Sequence, residues 1–284
     1  MPMLTALVAT AMAMASVLAP ADGASPDAPE FLERFQAPDW GTGRTWSPDT
    51  IAYRCRTTNP TGWKLDRLAK EALSTANGFL TITARKESED NWTTGLLTTD
   101  DYCASGGDRA TVGTGDLLLV HVQLPPDGTG AWPAVWTWRN KGHEVDLFEW
   151  HEDHPHTLEF VNHVKGGNLY YVDPAVAPGQ WIYIAAHFGE NSLTWYAGTD
   201  PGRLPAVYRD RSGVGPDYLA HPIVNLSVSD GYWHPRPAGV QPITFGIDCL
   251  LIDRPATRAG GSAPDTVSGA ACRSPRGPRP GGAG

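Results

Sequence analysis

Trp132-Pro133-Ala134-Val135-Trp136-Thr137-Trp138, a break around Asn140 and Gly142, and then His143-Glu144-Val145-Asp146-Leu147-Phe148-Glu149-Trp150-His151 is the stretch on which the fold turns. Each run is short, rich in β-branched and aromatic residues, and bounded by turn formers, which is the composition of a strand. Similar runs recur at 116–124, 157–164, 181–188, 192–197, 222–229 and 243–252, separated by clusters of Gly, Pro, Asn and Asp. Many short strands at this spacing indicate an all-β, antiparallel β-sandwich. They continue without a linker, so one domain over residues 25–255 is expected, opening with an irregular lead-in over 25–50. Before the first of these runs, Leu65, Leu68, Ala69, Ala72 and Leu73 fall at helical spacing and predict a short amphipathic helix. Asn77-Gly78, followed by Phe79-Leu80-Thr81-Ile82-Thr83-Ala84, predicts a hairpin directly after it.

With 284 residues, 41% apolar and 19% charged, the chain can bury a sizeable core, which excludes global disorder. Gly 31 and Pro 25 make about a fifth of the chain without a G-X-Y period, which suits a turn-rich β protein and excludes collagen. Asp and Glu outnumber Lys and Arg 31 to 22, with no basic stripe, so neither nucleic acid nor an anionic membrane is an expected partner. The 11 Trp and 9 Tyr suit either stacking on sugar faces or filling a thick core.

Residues 1–24 hold an apolar run from Met3 to Ala15, too short to cross a bilayer, followed by Ala19-Pro20-Ala21. They read as a secretion signal, though without the usual basic residues, and an extracellular location follows. Cys55, Cys103, Cys249 and Cys272 show no C-x-x-C spacing, so two disulfides are expected rather than zinc, with all three pairings open. Residues 256–284, dominated by Gly, Pro, Ala, Ser and Arg, read as a tail that only Cys272 could tether.

On a regular strand Glu144 and Asp146 share one face, and Glu149 falls with the apolar Val145 and Leu147 on the other. One extra residue in a β-bulge near Leu147-Phe148 resets the parity, bringing Glu149 beside Glu144 and Asp146 and turning Trp150 into the core. Three carboxylates on one face repel one another, a cost tolerated mainly where shifted pKa values are used. Glycoside hydrolysis is such a use, since one carboxylate attacks the anomeric carbon while a second, kept protonated, serves the leaving oxygen. Taken alone, the pattern also fits a solvated, inert face of an outer strand. The run His151-Glu152-Asp153-His154-Pro155-His156 offers no tetrahedral ligand set, and no metal site is expected there. Asn91-Trp92-Thr93 and Asn225-Leu226-Ser227 match the glycan acceptor pattern, the second within an expected sheet.

The segment resembles the catalytic strand of glycoside hydrolase family 16, the laminarinase and lichenase group, in its bulged E-x-D-x-x-E form. Leu124-Pro125-Pro126 with Trp132-Pro133-Ala134-Val135-Trp136 is similar to that family's run before the catalytic strand, and Asn77–Arg85 resembles its G-x-L-x-I-x-A hairpin. Thr93-Thr94-Gly95, His163, Trp195-Tyr196 and Asn225-Leu226-Ser227-Val228 follow in the family's order over about 200 residues. The resemblance implies a jelly roll with a concave substrate cleft, with Glu144 as nucleophile, Asp146 as its hydrogen-bonding assistant and Glu149 as general acid/base. It departs at Leu96 and Leu97, near where the family usually has Arg, and at Leu119 and His121, where it usually has Glu and Arg. Trp132, Trp136 and Trp138 share strand parity, and Trp132, Trp136, His163 and Trp233 are candidate substrate-binding residues, with Trp233 expected to close one end of the cleft.

The expectation is a secreted, monomeric, retaining endo-glycosidase acting on a polysaccharide, foremost a β-1,3- or β-1,3-1,4-glucan. It needs no cofactor, and a structural calcium ion is left open. The alternatives are a galactan-directed hydrolase or transglycosylase of the same fold, and a carbohydrate-binding protein without turnover.

Overall fold

The computed structural model describes residues 29–126, 130–140, 142–254 and 263–273. The expected signal over 1–24 lies outside the described residues. Among those described, two large sheets face each other. The sheet that carries the cleft runs β12 (Asn168–Val172), β11 (Thr157–Asn162), β10 (His143–Trp150), β9 (Ala131–Arg139), β16 (Leu219–Val228), β6 (Leu96–Thr98), with β7 (Val112–Gly113) also on β16. The outer sheet runs β18 (Thr266–Val267), β15 (Leu204–Asp210), β14 (Leu193–Gly198), β13 (Trp181–Phe188), β8 (Leu117–Gln123), β17 (Ile243–Asp253), β4 (Leu80–Ser88), β5 (Asn91–Thr94), β2 (Asp66–Leu68). β1 (Phe31–Glu33) joins β17, and β3 (Leu73–Ser74) joins β4. Pairing is antiparallel except between β2 and β5, and the expected all-β sandwich of jelly-roll type is the fold found.

Alternation along the strands builds the core between the sheets. Leu118, Val120 and Val122 of β8 and Ile182, Ile184 and Ala186 of β13 share it with Val145, Leu147 and Trp150 of β10. The opposite face of β8 carries Leu117 and Leu119, which would be exposed on a simple two-layer sandwich. Instead they form a second cluster with Tyr183, Tyr196, Leu204, Leu251 and the Cys249–Cys272 disulfide. Residues 263–273 cover this cluster. β18 pairs with β15, and the Tyr196 hydroxyl donates to the Pro264 carbonyl at 2.8 Å. The described part of the expected tail is thus packed on the domain, with Cys272 as its tether. The second disulfide joins Cys55 to Cys103.

The helix expected over Leu65–Leu73 is not formed. That segment is β2, a single 3-10 turn at Lys70–Ala72, and β3. Its buried leucines serve different clusters: Leu65 and Leu73 enter the main core, while Leu68 packs with Tyr53, Leu96 and Ile223. A helix of two turns is marginal by itself, and pairing with β5 and β4 displaces it. The expected hairpin is present, with β3 as its first strand and Gly78 at φ 72° in the turn. Gly95 lies where the chain passes from β5 to β6, from one sheet to the other. A Cβ there would stand 2.6 Å from Leu73 Cδ2, so a larger residue at this crossing would force the Leu73 side chain to shift.

Candidate active site

β9 and β10 form a hairpin that turns through Gly142 at φ 85°, and the hairpin brings three acids and three indoles to one surface. Asp146 stands opposite Trp136, whereas Phe148 stands opposite Val135, so β10 carries one more residue than β9 across this step. The same shift appears against β11, between Asp146 and Glu149. This is the bulge expected from the sequence, and it has the expected effect. Glu144, Asp146 and Glu149 line the cleft, while Val145, Leu147 and Trp150 are buried in the core. A bulge disrupts the ladder locally. Here the Asp146 carbonyl accepts instead from Trp195 Nε1 at 3.2 Å, so a residue of the outer sheet braces β10 from behind.

The cleft has a volume of about 1100 Å³, and Trp132, Trp136 and Trp138 form part of its wall. Their polar edges are put to use. Trp132 Nε1 donates to Glu149 Oε1 at 3.0 Å, and Trp136 Nε1 donates to Asn225 Oδ1 at 2.8 Å. His163 stands just beyond β11, half-exposed, with Nε2 3.0 Å from Asp146 Oδ2. Trp233 reaches the same cleft from the loop after β16 and is 56% exposed. All four candidate substrate-binding residues therefore meet the three acids in one cavity.

Burial, and then the charge of Asp146, push Glu144 up to about 7. The same two causes, in the same order, push Glu149 up to about 8. The hydrogen bond that His163 donates to the Asp146 carboxylate holds the imidazole protonated, raising it to about 9. Near neutrality Glu144 thus ionises before Glu149, leaving one carboxylate and one carboxylic acid on the same face.

Several cleft residues carried no sequence signal. Lys64 Nζ lies 4.1 Å from the ring centroid of Trp132, and its charge lowers both Glu144 and Glu149 against the effect of burial. Trp63 packs against Tyr232 and Trp233, widening the aromatic end of the cleft. The segment that delivers them is fixed at Asp66, which accepts from the Tyr53 hydroxyl at 3.1 Å and from the Val228 amide at 2.8 Å. The Cys55–Cys103 disulfide ties the same segment down. Periodicity cannot place such a segment, because it is a loop positioned by distant contacts. His151 directly follows β10 and is buried against the His234 ring, with centroids 3.4 Å apart. Burial, then His234, lowers it to about 2, so it is neutral. Leu96, Leu97, Leu119 and His121, where the chain departs from the family pattern, do not line the cleft. Leu97 lies in the core and Leu119 under residues 263–273.

No protein-family model and no curated protein matches the sequence. Solved structures do match. The β-glucanase of Bacillus licheniformis superposes with a TM-score of 0.62 at 16% identity, over 80% of this chain and 99% of that one. The endo-β-1,3-glucanase of Pyrococcus furiosus gives 0.60 at 22% identity, over 79% and 93%. The laminarinase of Flavobacterium sp. UMI-01 gives 0.61 at 17%, over 80% and 100%. The chain has the fold of these glucanases. In this glucanase fold the cleft-bearing sheet presents the Glu144, Asp146 and Glu149 face, and residues 263–273 add a layer on the outer sheet.

Proposed function

We propose that the chain is a secreted, retaining endo-glycosidase that hydrolyses internal bonds of a β-1,3- or β-1,3-1,4-glucan. The observation that carries this reading is the bulge in β10, which sets Glu144, Asp146 and Glu149 on one cleft face with Glu149 the harder of the two glutamates to ionise. Ionised Glu144 attacks the anomeric carbon and forms a glycosyl ester as the bond to the leaving sugar oxygen breaks. That oxygen takes the proton of Glu149. Glu149, now a carboxylate, removes a proton from water, the water oxygen attacks the same carbon, and Glu144 is released. Two carboxyls on one strand suit this double displacement, which needs them roughly 5–5.5 Å apart with no water between. The charge of Asp146, which accepts from His163, raises Glu149 and so helps to hold its proton.

The indoles of Trp132 and Trp136 offer apolar faces for sugar rings, and among the described residues Lys64 is the single Lys or Arg lining the cleft, which does not favour an acidic polymer. The endo mode and the glucan linkage are supported by the fold shared with the endo-β-1,3-glucanase and the laminarinase. Two disulfides and the apolar leader support an extracellular site of action. Among the described residues no helix is long and apolar enough to cross a membrane. The test is release of new reducing ends from a panel of soluble glucans, mannans, xylans and galactans. Activity on the β-glucans, lost in Glu144→Gln with an unchanged melting temperature, is expected. Absence of cleavage of every glucan, or wild-type turnover by Glu144→Gln, refutes the reading.

A further inference from the structure

Among the described residues there are two groups of three metal-ligating side chains; the first group and the two glutamates of the second line the cleft, while His151 is buried beside it. In the first, Glu144, Asp146 and His163, the imidazole is half-exposed and already satisfied by Asp146. The second, Glu149, His151 and Glu159, differs in kind. The His151 side chain is only 5% exposed, and neither of its ring nitrogens has a hydrogen-bond partner. Its Nε2 faces Glu159 Oε2 at 3.8 Å, too far for a hydrogen bond. Glu149 and Glu159 are directly opposed across β10 and β11, a pairing that like charges disfavour. A cation among the three would satisfy the imidazole and relieve the repulsion together.

The surroundings orient the group. Trp132 Nε1 holds one oxygen of Glu149, and Asn168 Nδ2 donates to Glu159 Oε1 at 3.2 Å. The His151 ring stacks on His234 and packs against Trp132. Outer donors of this kind fix metal ligands elsewhere.

We propose that Glu149, His151 and Glu159 bind one divalent transition-metal ion of the zinc class, with its remaining position open to the cleft. Ligand atoms of the three already lie within 4.8 Å of one another. A tetrahedral ion with bonds of about 2.0–2.1 Å sets them about 3.4 Å apart, within reach of small rotations of the two glutamates. One imidazole with two carboxylates suits zinc, whereas magnesium and calcium call for more oxygen ligands. Binding does not depend on the glycosidase reading. One consequence does rest on it: an ion on Glu149 removes the proton donor, so the metal is a reversible inhibitor.

The test is calorimetric titration of Zn2+ into the full chain after treatment with a chelator, for the wild type, His151→Phe, Glu159→Gln and His154→Ala. Phe keeps the stacked ring without a ligand atom, and Gln at position 159 is nearly isosteric. The His154 side chain is 63% exposed and stands outside the group, so it reports surface binding. One ion per wild-type chain is expected, with affinity falling more than about tenfold in His151→Phe and Glu159→Gln and holding in His154→Ala. A flat wild-type titration, unchanged binding in both site variants, or loss of binding in His154→Ala overturns the site. With Co2+ in place of Zn2+, the wild type should give the intense visible bands of a low-coordinate ion, and Glu159→Gln should not. In the activity arm, Zn2+ should suppress reducing-end release in step with occupancy, and chelation should restore it. A chain that binds Zn2+ but cleaves no glucan when metal-free leaves the site standing and removes only the glycosidase reading.

Discussion

Replacing Trp132 by Phe isolates the role of Glu149, because it removes one N–H and keeps an aromatic face in the cleft. In the wild type the pH profile of kcat/KM should be a narrow bell. Its acidic limb lies near 7, where Glu144 must lose a proton to attack, and its alkaline limb near 8, where Glu149 loses the proton it must donate. Both values belong to an interacting set of carboxylates rather than to isolated residues. Trp132 Nε1 donates to Glu149 Oε1 at 3.0 Å, which favours the ionised form and opposes the effect of burial. A hydrogen bond to a charged group contributes about 1.5 kcal/mol at the low end, and one pH unit corresponds to about 1.4 kcal/mol. Without the donor, the alkaline limb should move up by about one pH unit, to about 9. The acidic limb should stay near 7. The assay is reducing-end release from β-glucan at low substrate concentration across pH 5 to 10, with the melting temperature recorded to confirm the fold. The height of the bell will fall as the sugar platform shrinks, but only the limb positions bear on the argument. An alkaline limb that stays or moves down refutes the assignment, and movement of the acidic limb alone would mean that Glu149, not Glu144, has the lower of the two pKa values.

Glu149→Ala should lose activity on polysaccharide far more than on an aryl glycoside with an acidic phenol, which departs without a proton donor, while Glu144→Ala should lose both. Proton NMR of the first-formed product should show retained β configuration, and an initial α anomer would exclude the double displacement. Peptide mapping without reduction should recover Cys55 linked to Cys103 and Cys249 linked to Cys272, with no thiol labelled in denaturant. In the chain-entropy model their loops, with separations of 48 and 23 residues, are worth about 4 and about 3.5 kcal/mol, so reduction should lower the melting temperature markedly. Trp233→Ala should weaken polysaccharide binding by up to about tenfold, since Trp233 is exposed and stacks only at the cleft end, and leave stability within about 0.5 kcal/mol. A variant with unchanged KM would remove Trp233 from the substrate path.

The long strands were legible because each has one face in the core, and a buried face imposes a strong alternation. β8, β13 and β17 fall almost where their apolar runs lie. β12 and β15 left little trace, since they pair near the sheet edges and carry few fully buried residues. The bulge could be inferred from its chemistry, because without it Glu149 would point into the core beside Leu147. The segment 65–73 was misread because three short elements in succession happened to place apolar residues three and four apart. Of the cleft, the side chains on β9 and β10 were readable by parity, whereas Trp63, Lys64 and Glu159 were not. Each of these depends on which strand lies beside which, and that is decided by contacts far apart in sequence.

Asn225 begins an Asn-Leu-Ser triplet, yet it is 2% exposed, accepts from Trp136 and donates to Ser227 Oγ at 2.8 Å. A production host that attaches oligosaccharides to such triplets during translocation meets the chain before it folds, when Asn225 is as accessible as any other asparagine. A sugar added then would sit on a side chain that lines the cleft and would compete with the hydrogen bonds Asn225 makes to Trp136 and Ser227. The modified chain would carry an oligosaccharide in its own substrate path. Asn91, exposed at the start of β5, would carry the same sugar harmlessly. Material for the experiments above is therefore best made in a bacterial host that lacks this modification.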